Sequence, residues 1–521
     1  MANININDFV LDVDYVAQPQ ELFEQITQPF DNSLLLESAE INTKAGTTSM
    51  LIVDAACRLS CLGRTVFSQA LTPNGFNVNE QLKKLIPESC MVQERGNTLI
   101  IEYPEIATDI DEDSRLKALS VLDLLRKIIR DVECDQGKDY KLLGGCFAYD
   151  LIASFEKLPQ VGISSNDCPD FCFYLAESQI LINHIHQTTR VVTTTFKGSR
   201  EVQERARKRA LELKVSCDAF KKSERKELVP VKLSVCPDLT DEEYCKVVDH
   251  MKDHIRQGDI FQVVPSRTFA IQCPSTFAAY SKLKETNPSP YMFYLNDEQF
   301  TVFGASPESS VKYTAETNDV EMYPIAGTRP RGFNSKGDID VDLDCRIELA
   351  MREDKKEVAE HIMLVDLARN DIARISVPGT RHVKDLLKVD RYSHVMHLVS
   401  RVVGQLRPDL DALHAYQACM NMGTLTGAPK IRATELIREA ERKRRGSYGG
   451  AMGYLNGRGD MDTCIVIRSA FVKNGVAYVQ SGAGIVYDSV PQSEADETRN
   501  KAAAVLNAIA LANGTTLKEI L

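Results

Sequence analysis

The chain has 521 residues, 43% of them hydrophobic and 26% charged, and a net charge of −11. That length exceeds what one hydrophobic core usually supports, so two domains or one large two-part unit are expected, with room for a wide cleft. The acidic balance argues against nucleic acid, whose phosphates need clustered Lys and Arg, and the ordinary composition excludes a disordered chain.

The amino terminus, MANININDFVLDV, lacks a basic start, an apolar core and a small-residue cleavage site, and no apolar run reaches membrane-spanning length. A cytoplasmic protein is expected. Residues 1 to about 215 alternate short apolar segments, such as LLLES and SMLIVDAACRLSCLG, with polar turns, and SRLKALSVLDLLRKIIRDVE predicts one helix over 114–133. The basic run RARKRALELK, Arg205 to Lys214, reads as the solvated face of a surface helix rather than a polyanion site. The polar, lysine-rich DAFKKSERKELVPVK places a boundary near residue 225, giving parts 1–225 and 226–521. Beyond it Thr240 or Asp241 can cap a helix that Gly258 ends. Strands are expected over FQVVPSRTFAI, YMFYL, VMHLVSRVVG, TCIVIRSAFV and VAYVQSGAGIVY. Helices are expected over EDKKEVAEHIMLVDLARNDIARI, PKIRATELIREAERKR and SEADETRNKAAAVLNAIALAN. The fourteen cysteines are scattered singly and read as reduced packing residues. Cys57 with Cys61 and Cys168 with Cys172 lack the second cluster that a zinc site needs.

Residues three apart on a helix share a face, so Glu357 and Glu360 can look into one cavity, and Glu494 and Glu497 can do the same from another helix. Two such faces would suit a hard divalent cation. Magnesium keeps several waters and takes one or two carboxylates, so one Glu of each pair would touch the ion and the other would hold its water. Spacing alone is weak evidence, because such pairs are common on solvated helices. In SGAGIVY, Gly482 and Gly484 flank Ala483 and let backbone N–H groups approach a carboxylate. Arg468, in an otherwise apolar stretch, needs an anionic partner when buried, either a structural acid or a substrate carboxylate. GTLTGAPK lacks the ending of a phosphate loop and reads as a turn feeding a helix, with Pro429 near its start. His250 and His254 have the spacing of a helical zinc pair but no third ligand, GRGD at 457–460 reads as a hairpin turn, and Ser306 lacks a nucleophile elbow.

In chain order, PIAGTRPRG, EDKKEVAEHIMLVDLARND, VMHLVS, TLTGAPKIRA, IRSA and SGAGIVYDSVPQSEADETRNKA resemble the signature blocks of the chorismate-using enzymes. LLLESAE and NPSPYMFYL resemble the tryptophan-binding segments of the anthranilate synthase large subunit, component I. The resemblance implies an α+β fold, a large two-part unit of packed mixed or antiparallel sheets with helices outside and the site in a cleft. It also implies conversion of chorismate plus ammonia to anthranilate and pyruvate with Mg2+. Two related branches carry lysine where this chain has Gln262, as in isochorismate and salicylate synthases, or Ala326, as in aminodeoxychorismate synthases. No amidotransferase loop is present, so a separate glutamine amidotransferase subunit is the implied ammonia source.

The roles implied by resemblance are these. Glu360 and Glu497 hold the metal, with Glu357 and Glu494 supporting its waters. Tyr448, Arg468, Gly482, Ala483 and Gly484 hold the enolpyruvyl carboxylate, and Gly327 and Thr328 contact the ring side. Glu308 is the candidate acid for the ring hydroxyl, and His397 assists, a core histidine being the alternative. Glu37, Ser38, Pro290, Tyr291 and Met292 line an allosteric tryptophan pocket. An aminodeoxychorismate-forming relative and a non-catalytic tryptophan sensor are the competing readings.

Overall fold

The computed structural model describes residues 6–28, 31–38, 48–107, 109–221, 233–334, 336–392 and 395–520. Its centre is an antiparallel pair of long strands, Thr48–Leu62 and Phe171–Asn183, whose register slips between Ile52 and Cys57. Such bulges bend a strand pair. Each strand then changes neighbours: Thr48–Leu62 pairs first with Ser33–Glu37 and then with Thr65–Ala70, and Phe171–Asn183 pairs with Leu142–Phe147 and then with Thr188–Thr193.

Two arms grow from this centre. One runs through Ser33–Glu37, Tyr291–Asn296, Thr301–Ser306, Ser469–Lys473, Val476–Gly482 and Ser266–Gln272. The other runs through Leu142–Phe147, Ala451–Asn456, Met461–Ile465, Ser309–Thr314, Asp319–Met322 and Val395–Gln405, and the last of these also pairs with Ile325–Pro330 and His382–Arg391. All these ladders are antiparallel. Side chains from both arms, including Leu34, Phe293 and Phe471 on one and Cys146, Met452 and Cys464 on the other, pack in one buried cluster. Helices cover the outer faces: Arg200–Asp218, Thr276–Thr286 and Pro491–Ala512 over the first arm, Asp123–Arg130, Lys355–Ala373 and Ala412–Cys419 over the second. This is the expected α+β arrangement. Both arms mix strands from either side of residue 225, and the boundary itself lies outside the described residues.

The Asp241–Gln257 helix has the expected ends, a Thr240–Glu243 capping box and Gly258 in the left-handed region. The helix expected over 114–133 is instead two, Glu112–Lys117 and Asp123–Arg130, because Ala118 turns extended and the Asp123 carboxylate accepts from the Ser120 N–H. The strand expected over 261–271 is likewise split, into Gln262–Val263 and Ser266–Gln272, at Val264 and Pro265. The helix Val341–Glu353 had no counterpart in the sequence reading. The basic run sits on the Arg200–Asp218 helix, where Arg205 pairs with Glu177 and Arg209 with Asp54, so its charges are spent on the protein's own acids. His254 is taken by Asp259, and GRGD closes a hairpin between Ala451–Asn456 and Met461–Ile465. Among the described residues no helix is long and apolar enough to cross a membrane, and every described cysteine is a free thiol.

Candidate active site

Two helix starts supply the carboxylates. Asp354 caps Lys355–Ala373 by accepting from the N–H groups of Lys356 and Glu357, which sets Glu357 in the first turn and Glu360 one turn on. Pro491 opens Pro491–Ala512, with Glu494 in its first turn and Glu497 one turn on. Burial raises the pKa of Glu360; Lys356 opposes the rise, and Glu494, Glu497 and Glu357 add to it. Burial raises Glu494 too, against a hydrogen bond from Ser489, with Glu497 adding its repulsion. The fold has therefore brought both pairs into one acidic cluster.

Basic side chains hold three of these groups. Arg329 Nη1 lies 2.5 Å from Glu357 Oε1, Lys501 Nζ lies 2.5 Å from Glu497 Oε1, and Lys356 Nζ lies 3.9 Å from Glu360 Oε1. Among the described residues no group of three or more His, Cys, Asp or Glu converges to metal-holding distances. Two observations still fit a hard cation. The available donors are carboxylate oxygens, and Glu357 Oε2 is buried with no hydrogen-bond partner among the described residues. Gly327 makes room for that oxygen: its φ is +75°, and a Cβ there would stand 2.8 Å from Glu357 Oε2.

Beside the cluster lies a locus centred on Arg468. The expected strand over 463–472 breaks here, because Met461–Ile465 belongs to one arm and Ser469–Lys473 to the other, and Arg468 stands at the crossover with φ of +49°. No described residue hydrogen-bonds to or forms an ion pair with its guanidinium. Burial lowers its pKa, while Tyr448, Glu497 and Glu308 act on it through space. Glu308 is 6% exposed and accepts from Thr424 Oγ1 at 3.0 Å. Burial pushes its pKa up to about 8 despite Thr424, Arg468 and Lys501, so this carboxyl is mostly protonated at neutral pH. His397 Nδ1 lies 2.9 Å from Thr328 Oγ1, and burial, helped by the positive Arg468, lowers its pKa to about 4, which leaves a neutral imidazole. The Tyr448 hydroxyl reaches Gly482, where a Cβ would stand 3.1 Å from it and 2.6 Å from Pro265 O. Gln262 packs against Gly484, with its Nε2 2.8 Å from where a Cβ would be.

The site thus combines an unpaired cation, a protonated carboxyl, a neutral imidazole, a glycine loop and an acidic cluster. Arg329, Thr424 and Lys501 are the members that sequence reasoning missed. Lys501 follows Glu497 by four residues, a spacing that reads as a surface ion pair, and Thr424 lay in a segment read as a turn.

The five residues assigned to tryptophan sit at the junction of Ser33–Glu37 with Tyr291–Asn296, where Glu37 stands opposite Met292. Strand alternation sends them to two faces. Met292 joins the cluster under the Thr276–Thr286 helix, where the Glu37 carboxylate is held by Lys284 at 2.6 Å and Tyr280 at 2.5 Å. Tyr291 joins the cluster between the arms, and its hydroxyl donates to Asp462 at 3.2 Å. The Ser38 hydroxyl is buried without a hydrogen-bond partner among the described residues.

The family model of chorismate binding enzymes matches residues 88–507, which takes in every catalytic and metal candidate above. The chain belongs to the chorismate-binding enzyme family. Within it, the chain is 54% identical to anthranilate synthase component 1 of Escherichia coli over 96% of both chains, and 54% identical to that of Vibrio parahaemolyticus over 96% of this chain and 92% of the relative. A solved anthranilate synthase component I from Streptococcus pneumoniae superposes with a TM-score of 0.70 at 31% identity, covering 89% of this chain and 93% of that one. The menaquinone-specific isochorismate synthase of Escherichia coli, 17% identical with a TM-score of 0.66, shares the fold over 96% of this chain and 94% of its own.

Proposed function

We propose that this chain is the chorismate-using component of an anthranilate synthase, forming anthranilate and pyruvate from chorismate and ammonia with Mg2+ as cofactor. The observation that supports this is the neighbourhood of Arg468: a half-buried cation with no ion pair to any described residue, close to Glu308, a carboxyl held protonated. Chorismate carries two carboxylates and a ring hydroxyl, and this locus offers a partner to one carboxylate and a proton to the hydroxyl.

Arg468, the Tyr448 hydroxyl and the Gly482–Gly484 backbone hold the enolpyruvyl carboxylate, and the fixed guanidinium fork sets its orientation. Glu360 and Glu497 would hold the magnesium ion, with Glu357 and Glu494 supporting its waters, and the ion would supply Lewis-acid polarisation at the ring carboxylate. Ammonia adds at the ring carbon next to the one bearing that carboxylate, the double bonds shift, and the ring hydroxyl leaves with the Glu308 proton as water. The product of that step is aminodeoxyisochorismate. Neutral His397, oriented by Thr328, assists there or in the following elimination, in which loss of a ring proton and of pyruvate makes the ring aromatic. Gln262 and Ala326 support this product over its relatives, since neither can activate water or attack the ring as lysine would.

The name component 1 borne by the relatives implies a second component, and we assign it as a glutamine amidotransferase subunit that supplies ammonia. Tryptophan is the proposed inhibitor, bound by Glu37, Ser38, Pro290, Tyr291 and Met292 at the junction of Ser33–Glu37 with Tyr291–Asn296. The deciding experiment supplies chorismate, Mg2+ and ammonium and follows blue anthranilate fluorescence. Accumulation of a non-aromatic amino product would overturn the assignment in favour of an aminodeoxychorismate-forming enzyme, and tryptophan binding without turnover would leave only a sensor.

A further inference from the structure

The turn between Glu494 and Glu497 is gripped by the sheet beneath it. Arg267, 1% exposed, donates from Nε to Thr498 Oγ1 at 2.8 Å and from Nη2 to Ala495 O at 2.9 Å. Its cross-strand neighbour Ser481 donates from its hydroxyl to Thr498 O at 2.7 Å. The guanidinium is also anchored at the start of the Asp241–Gln257 helix, from Nη1 to Leu239 O at 3.0 Å and from Nη2 to Asp241 Oδ1 at 2.8 Å. Thr498 is fully buried, and its hydroxyl also donates to Ala495 O at 2.7 Å.

Burying an arginine and a threonine hydroxyl is costly unless every group is engaged, and an apolar pair of similar volume would pack a helix on a sheet at least as well. Hydrogen bonds add what apolar packing lacks, a fixed direction. The residue after Ser481 is Gly482, so the strand that holds Thr498 is the strand that presents the glycine loop. We propose that Arg267, Thr498 and Ser481 are positioning residues that set the roll of the Glu494–Glu497 turn relative to the Gly482–Gly484 loop, so that carboxylates and loop donors meet the cation and the substrate at one spacing. Lever arm decides the size of the effect. Side-chain ends on a helix lie about 5–6 Å from its axis, so a roll of about 10° moves a carboxylate by about 1 Å. A displacement of about 1 Å is enough to spoil a constructed site. The inference rests on the magnesium reading of the glutamates.

Its test is direct binding of Mn2+, a paramagnetic stand-in for Mg2+, followed by EPR on the full chain without substrate. Thr498→Val keeps the volume and removes the hydroxyl, and should weaken Mn2+ at least tenfold, the usual cost of losing a supporting residue around a metal. Thr498→Ser keeps the hydroxyl and should stay within twofold of the parent, with a similar melting temperature, whereas Thr498→Val leaves the buried Arg267 Nε–H without its acceptor and should melt lower while staying folded at the assay temperature. If Thr498→Val does not fold, Ser481→Ala carries the same expectation. A valine variant that binds Mn2+ as the parent does, or a serine variant as weak as valine, overturns the clamp and leaves the metal reading intact. A parent that binds no Mn2+ removes the metal reading and the clamp with it.

Discussion

Replacing Glu308 by Gln should slow the enzyme and stabilise the fold at once. An unfolded glutamate ionises near pH 4.5, whereas burial holds this one protonated to about pH 8. Because the folded pKa is the higher one, the native state binds more protons than the unfolded chain between those values, and it loses stability as pH rises through that window. At about 1.4 kcal/mol per pH unit above 4.5, the cost reaches about 3 kcal/mol at pH 7. Glutamine carries no such penalty and keeps an oxygen for the Thr424 hydroxyl, which donates to Glu308 Oε1. Burying its amide costs about 1 kcal/mol when a donor goes unmatched, leaving a net gain of about 2 kcal/mol at pH 7 that turns into a loss of up to about 1 kcal/mol near pH 4.5. The same substitution removes the proton for the ring hydroxyl and should lower kcat by about 10² to 10⁴. Urea unfolding at pH 5 and at pH 7.5, beside anthranilate fluorescence, reads both effects. A stability difference that does not change with pH, or a variant with parental turnover, would refute the reasoning.

Arg468→Lys keeps the charge but loses the planar fork, so KM for chorismate should rise at least tenfold with little change in melting temperature; an unchanged KM would place the carboxylate elsewhere. Glu360→Gln and Glu497→Gln should each abolish turnover without loss of stability, since Glu360 already carries a raised pKa from burial and from its acidic neighbours, and near-parental rates in either would remove it from the metal. Ser38→Phe should relieve tryptophan inhibition while leaving turnover in ammonium unchanged, measured as the tryptophan concentration for half inhibition; unaltered inhibition would take Ser38 out of the pocket.

Periodicity in the sequence was enough to place the helices that carry the glutamates, because amphipathic spacing acts through neighbours a few residues away, as do the Thr240 and Gly258 signals that bound the Asp241–Gln257 helix. Residue type singled out Arg468 and the glycine loop, and the resemblance of the ordered blocks added Glu308, all of them local features. What folding alone decided is how these groups treat one another. Arg468 was read within a strand and stands instead at a crossover between arms, a position fixed by pairings to strands more than 150 residues away, such as Thr301–Ser306 with Ser469–Lys473. The protonation of Glu308 depends on burial, and the grip of Arg267 on Thr498 spans 231 residues of chain. Spacing could give Glu357, Glu360, Glu494 and Glu497 a common face on each helix, but only packing set the two faces against each other. Proton affinity and long-range contact are properties of an environment, and the environment exists only once distant segments have met.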